Sequence, residues 1–288
     1  MSARNYCESG MPRVAPSFKM DMSSESSWAG RKRRLLLFLT VLCLSLFATG
    51  AWAQFTPGQP VYVDIEATGA ETGENWDDAL TSIPQALQVA EGNSLPQVWV
   101  AEGLYQDPFS LRSNIAVYGG FAGAEVVLAE RDPEARLTII DVSKAENGLP
   151  ASTAVSLGTS IGSARLDGFL VTGARNASGN GGGLWVNSFG TGNVIASCTF
   201  TGNYALRGGG MDVGVQQSLL VENCRIVGNE AEERGGGINM GGAGQLRLTD
   251  CVVANNRAGR GGGVALIDPS SMNAQRCVFA GNSADSFG

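Results

Sequence analysis

Histidine is missing from this sequence altogether. With it goes the side chain that most often acts as a general base near neutral pH, and a common nitrogen ligand for zinc. No short Cys-x-x-Cys is present either, so a zinc site has little to be built from. Lysine is nearly absent beyond residue 53, where Lys144 stands alone, and ten prolines face forty glycines. So much glycine with so little proline and ordinary hydrophobicity excludes a disordered linker and points to turns at regular places. The one apolar run of note, Leu35 to Phe47, is shorter than the roughly 20 residues a membrane-spanning helix needs.

That run has the features of a secretory signal over residues 31–53. Arg31, Lys32, Arg33 and Arg34 form its basic start, and Ala51-Trp52-Ala53 supplies the small residues of a cleavage site. Cleavage after Ala53 leaves Gln54 as the mature N-terminus and the protein secreted; the alternative is a retained anchor. Bulky Leu42 before Cys43 argues against lipidation. Residues 1–30 are longer than a normal basic leader and form an N-terminal extension, with Met20 or Met22 as a candidate true start. Removing residues 1–53 leaves 13 basic against 24 acidic residues, a net charge of −11. Nucleic acid and anionic membrane are therefore poor partners.

What the sequence does contain is a repeat. Cys198-Thr-Phe-Thr-Gly-Asn203, Cys224-Arg-Ile-Val-Gly-Asn229, Cys251-Val-Val-Ala-Asn-Asn256 and Cys277-Val-Phe-Ala-Gly-Asn282 align, their cysteines 26, 27 and 26 residues apart. An alanine follows two residues after each asparagine, and glycine triplets begin at Gly181, Gly208, Gly235 and Gly261. Each triplet leads into a short apolar segment, from Leu184, Met211, Ile238 and Val264.

A unit of about 26 residues cannot enclose its own apolar face and must stack on copies of itself. Alternation gives the inward columns: Leu184/Val186, Met211/Val213, Ile238/Met240 and Val264/Leu266 after the glycines; Leu219/Val221, Leu246/Leu248 and Met272/Ala274 before the cysteines; and Phe200, Ile226, Val253 and Phe279 after them. Like residues recurring once per unit imply in-register parallel strands, and parallel crossovers are right-handed by strong default. The recurring Asn203, Asn229, Asn256 and Asn282 suit a ladder of stacked amides. The expected fold is thus all-β, a right-handed parallel β-helix over residues 97–288 with regular repeats in 181–288. Residues 54–96 precede it as a cap. There Ser82-Ile-Pro-Gln85 has the pattern of a capping box, and Ile83, Ala86, Leu87 and Ala90 follow at helical spacing. Such a helix would cover the first coil's open strand edges.

At these residues the chain resembles known families. Phe200-x-x-Asn203, Phe279-x-x-Asn282 and Gly235-Gly-Gly-Ile238 are similar to the repeat motifs of polymorphic outer-membrane proteins. Val61-Tyr-Val-Asp64, Val98-Trp-Val-Ala-Glu-Gly103 and Val117-Tyr-Gly-Gly-Phe121 resemble the start of bacterial secreted β-helix proteins with pectin-lyase-like folds. The resemblance implies an extracellular or cell-surface protein, some such proteins being adhesins. It further implies what an enzyme of this fold would carry: clustered aspartates with histidine and a basic motif in hydrolases, or calcium-binding carboxylates with an Arg or Lys base in lyases. This sequence has no histidine, and its one adjacent aspartate pair, Asp77-Asp78, falls in the cap.

Three sets of residues invite a functional reading. Cys198, Cys224, Cys251 and Cys277 share one repeat position; disulfides or a metal would be the active readings, a buried ladder of small side chains the plainer and favoured one. Arg207, Arg234 and Arg260 each precede a glycine triplet and should stack on one corner. They would bind an acidic glycan, or be neutralised in a solvated turn by Glu230, Glu232 and Glu233. Trp185, Asp212, Asn239 and Ala265 form the outward column of the strands after the triplets, where Trp185 and Asp212 would contact a sugar. The sequence reading is therefore a non-catalytic adhesin or glycan-contacting protein with no cofactor or metal, its partner an extracellular glycan or cell-surface molecule. The alternative is a polysaccharide lyase or glycoside hydrolase with its site in the irregular loops of residues 100–180. The fourth repeat ends at Asp285-Ser-Phe-Gly288, where its triplet is due, so the stack is expected to lack a cap, leaving an edge for another chain or a missing continuation.

Overall fold

A computed structural model describes residues 55–145, 148–158, 162–187, 192–214, 218–267 and 269–287. The expected signal peptide and the extension before it lie outside these residues. Among the described residues no helix is long and apolar enough to cross a membrane.

A regular coil passes through four short strands, as in Asn193–Ala196, Thr199–Thr201, Tyr204–Arg207 and Met211–Val213, before the next coil opens at Ser218–Glu222. Every strand pairs in parallel with its counterpart one coil away, which gives four sheets, here numbered I to IV in the order a coil visits them. Among the described residues they have eight, seven, five and six strands. Register follows the repeat: Leu184 pairs with Met211, Met211 with Ile238 and Ile238 with Val264, while Phe200, Ile226, Val253 and Phe279 form a continuous row in sheet II. These rows fill the interior, and the core is continuous from Val61 to Val253. It opens at the last coil, where Met272 is half-buried and Val278 and Phe279 are 54% and 44% exposed.

The turn between sheets II and III explains the asparagines. Asn229 Nδ2 donates to the Phe200 carbonyl at 2.9 Å and to Asn256 Oδ1 at 3.1 Å, and Asn229 Oδ1 accepts from the Asn203 backbone N–H at 3.1 Å. Asn203, Asn256 and Asn282 repeat the pattern, so backbone groups that the turn removes from the ladder are paired inside the core. The residue before each ladder asparagine has positive φ. It is Gly202, Gly228 and Gly281 in three repeats and Asn255 in the other, asparagine being the side chain that best tolerates that conformation.

Helix α1 spans Ile83–Gly92 and buries Ile83, Ala86, Leu87 and Ala90 against the strands Val61–Val63, Gln97–Ala101 and Phe109–Leu111. Ser82 is its N-cap, but the Ser82 side chain makes no capping hydrogen bond, so the expected capping box does not form. Pro84 in the first turn needs no N–H partner, and packing rather than capping holds the helix.

Sheet III was not expected from the sequence. Its strands, Arg175–Asn180, Tyr204–Arg207, Glu230–Arg234, Arg257–Arg260 and Ser283–Phe287, contain the arginine column, which therefore lies at strand ends and not in a solvated turn.

Candidate functional site

The outer face of sheet IV carries one in-register column, Ser110, Ser156, Trp185, Asp212, Asn239 and Ala265. Alongside runs the end of sheet III, where Arg207 pairs with Arg234 and Arg234 with Arg260. The fold thus brings Trp185, Asp212, Arg207, Arg234 and Arg260 to one corner of the solenoid.

The glycine triplets join the two columns and set their spacing. The first glycine of each has positive φ and folds back on the residue four positions later. A Cβ on Gly208 would lie 2.8 Å from Asp212 Cα, and one on Gly235 would lie 2.7 Å from Asn239 Cα. The second and third glycines stack coil on coil: Gly209 N–H donates to Gly235 O at 3.2 Å and Gly210 N–H to Gly236 O at 3.0 Å. Only glycine permits backbones this close.

This fold-back corrects the expected surface. Asp212 and Asn239 do point outward, but they are 2% and 5% exposed, while Trp185 is half-buried. Asn239 Nδ2 donates to Asp212 Oδ1 at 2.6 Å. Burial raises the Asp212 carboxyl to about 6, against the lowering effects of the Asn239 bond and the nearby Arg207 and Arg234 charges. Asn239 Oδ1 and Arg234 Nε, an acceptor and a donor, are both buried here without a hydrogen-bond partner among the described residues.

The arginines are not neutralised as a group. Arg207 Nε donates to Glu233 Oε2 at 2.6 Å, and this bond first, then the charges of Arg207, Arg234 and Arg260, holds Glu233 below the usual carboxylate range. Glu232 instead accepts from the Tyr204 hydroxyl at 3.3 Å, and Glu230 makes no ion pair among the described residues. Arg234 and Arg260 have no ion-pair partner among them either, and Arg260 is exposed. At the other end of the column a cleft of about 320 Å³ opens beside α1, lined by Gln88, Ser110, Arg112, Thr153 and Ser156. Ser110 Oγ and Ser156 Oγ are 2.6 Å apart, and Arg112 Nε makes a long ion pair with Glu91 Oε2 at 3.7 Å but no hydrogen bond among the described residues.

A second charged cluster, on the outer face of sheet I, escaped the sequence reading. Asp167, 2% exposed, receives Arg131 Nη2 on Oδ1 at 2.6 Å and Arg165 Nε on Oδ2 at 2.8 Å. Arg165 Nη2 also reaches Glu222 Oε1 at 3.1 Å, and Arg131 lies over the Tyr118 ring at 5.1 Å. Alternation in Arg165-Leu166-Asp167 puts Arg and Asp on one face and was a usable signal. Arg131 comes from a distant loop and left none.

The four cysteines are free thiols stacked on the inner side of the turn between sheets I and II. Cys224 Sγ donates to Ile195 O at 3.5 Å and Cys251 Sγ to Val221 O at 3.4 Å, and burial pushes both thiols up from their ordinary pKa. Among the described residues no group of three or more Cys, Asp or Glu side chains is placed to hold a metal ion.

Residues 150–287 match the family model of the right handed beta helix region. The solenoid is thus the right-handed parallel β-helix that the repeats predict, and all of the regular coils, with the arginine ridge, lie within the matched stretch. Among solved structures, this β-helix is similar to the crystal structure of the pectin methylesterase from Aspergillus niger in deglycosylated form. The two share 13% identity over 81% of this chain and 90% of that one, with a TM-score of 0.41. No curated protein matches the chain.

Proposed function

We propose that this protein is a non-catalytic extracellular β-helix that contacts glycans through the outer face of sheet IV. The observation that carries this reading is the column itself. It sets a half-buried tryptophan between serine hydroxyls on one side and the Asp212-Asn239 pair on the other, all in register. A half-buried aromatic side chain with accessible serine hydroxyls beside it suits a sugar ring, which has an apolar face and a hydroxyl rim, while the buried Asp212-Asn239 bond fixes the strand next to it. The apparent secretory signal supports an extracellular setting.

The non-catalytic part of the proposal rests on Asp167. Glycosidic cleavage needs two carboxylates free to face one bond. Both oxygens of Asp167 are taken by Arg131 and Arg165, which suits a structural ion pair. The second reading, a lyase or hydrolase, is favoured by Glu222, which is more exposed and shares Arg165 with Asp167. Incubation of the purified protein with pectin, alginate and neutral polymers decides between them. Binding that is lost in Trp185→Ala, without new reducing ends or unsaturated products, is expected; product formation that vanishes in Glu222→Gln overturns the first reading.

A further inference from the structure

We propose that Arg207, Arg234 and Arg260 form an anion site that holds the carboxylate or sulfate groups of a linear glycan running along the solenoid axis. The proposal rests on the glycan-contact reading above and assigns its ligand class and direction.

The geometry argues for a polymer. The three arginines recur once per coil in paired register, and parallel strands stack about 4.8 Å apart, close to the advance of one sugar residue along a chain. A small ion would occupy one gap between guanidinium groups; a polyanion with a comparable repeat meets all three.

Charge argues for an anion. Like charges at this spacing repel unless something intervenes, and Glu233 is the one carboxylate that forms an ion pair with the ridge among the described residues. Asp212 adds a second negative charge from beneath, but it is buried and its carboxyl is already bonded to Asn239. Arg260 is left exposed and unpaired. The guanidinium fork matches planar carboxylate and sulfate groups.

The unpaired atoms argue for a sugar. Arg234 Nε is a buried donor and Asn239 Oδ1 a buried acceptor, both without hydrogen-bond partners among the described residues, and Asn239 itself is 5% exposed. A sugar hydroxyl both accepts and donates, whereas a sulfate ion has no proton for an amide oxygen. A ligand with acidic groups along its length and hydroxyls between them satisfies both sets.

The test is equilibrium binding of the purified full chain to polygalacturonate, dextran sulfate and uncharged dextran, with inorganic sulfate as competitor. Both polyanions, or one of them, should bind more tightly than dextran and weaken with salt. Binding of polygalacturonate alone identifies carboxylate as the preferred group, and of dextran sulfate alone, sulfate ester. Arg260→Glu, at an exposed position where folding is not at risk, should weaken polyanion binding about tenfold, as expected for loss of a charged hydrogen bond. Glu233→Gln, which releases Arg207, should strengthen it. Sulfate at millimolar concentration should compete poorly. Unchanged polyanion affinity in both variants overturns the ridge site and leaves the glycan reading standing if Trp185→Ala still abolishes binding. Failure of the wild-type protein to bind any of the three polymers removes both.

Discussion

Asn239 Nδ2 donates to Asp212 Oδ1 at 2.6 Å beneath a glycine turn that shields the carboxylate from water. Burial outweighs that bond and the nearby arginines, so the Asp212 carboxyl titrates at about 6 in the folded protein. In the unfolded chain it titrates near 4. The folded state therefore binds this proton more tightly, and Asp212 favours folding most below about pH 4. That contribution is lost as pH rises towards 6 and is absent above. Glu233 and Asp250, held low by Arg207 and Arg276, run the other way, so the comparison must be made against a variant. Asp212→Asn keeps an acceptor for Asn239 and has no proton to lose. Relative to the wild type it should gain on the order of 2 kcal/mol between pH 4 and pH 7.5, measured by urea unfolding. A difference that does not change with pH would contradict the burial.

The asparagine ladder predicts a graded series. Asn229 is 1% exposed and serves the Phe200 carbonyl, the Asn203 amide and the Asn256 amide. Asn229→Ala strands these groups in the core and should cost about 3 kcal/mol, whereas Asn282→Ala, at a half-buried rung, should cost about 1. Chemical denaturation of the two variants checks the order. Equal costs would mean that the amides are interchangeable with solvent.

How far the sequence could be read depends on repetition. Columns such as Leu184, Met211, Ile238 and Val264 state their inward direction four times, and the structure pairs them as read. Sheet III was hidden because its ladder slips: one residue separates Ala205 from Arg207, but two separate Ala231 from Arg234, so no period of two runs through it. Asp212 and Asn239 were rightly placed outward. Their burial comes from a glycine four residues earlier, an effect that alternation cannot express. In the Asp167 cluster the Arg165-Asp167 alternation was legible but Arg131 was not, since Arg131 and Asp167 are 36 residues apart in coils that do not repeat.

Two glycines with the same backbone should differ sharply in what they tolerate. Gly235 has φ +67°, and a Cβ there would meet Ile238 O at 2.6 Å and Asn239 Cα at 2.7 Å. Gly228 has φ +68°, but the first atom met is Thr201 Oγ1 at 3.8 Å, and the equivalent position one coil on is already Asn255. Gly235→Ala should therefore cost about 3 kcal/mol or more, combining the left-handed penalty with backbone displacement, and Gly228→Asn less than about 1. Thermal melts of both variants supply the comparison.

The thiol column predicts chemical inertness. Cys198, Cys224 and Cys251 are 1% exposed, out of reach of a reagent, and at Cys224 and Cys251 burial also disfavours the thiolate that would react. A disulfide-exchange reagent at pH 8 should leave these three unmodified in the folded protein and label them within minutes in denaturant, as mass spectrometry of tryptic peptides would report. Rapid labelling of Cys224 without denaturant would show that the coils part locally.

Arg131 ties the loop that follows Phe121 to the sheet I face. Its guanidinium reaches Asp167 Oδ1 at 2.6 Å and the carbonyl oxygens of Gly119 and Asp167 at 3.1 and 3.3 Å. Arg131→Met removes the guanidinium from the Tyr118 ring and leaves the buried Asp167 with Arg165 alone. Removing one partner of a buried pair typically costs about 3 kcal/mol, mostly through the charge left behind. Asp167→Asn removes that charge, so the double variant should recover part of the loss. A double-mutant cycle separates the two contributions, and a coupling energy above about 1.5 kcal/mol is expected between these residues. Coupling near zero would mean that Arg131 holds the loop through the two carbonyls, with the carboxylate satisfied by Arg165. In that case Asp167 would have an oxygen to spare, and the catalytic reading of the Asp167-Arg165-Glu222 face would gain the free carboxylate it now lacks.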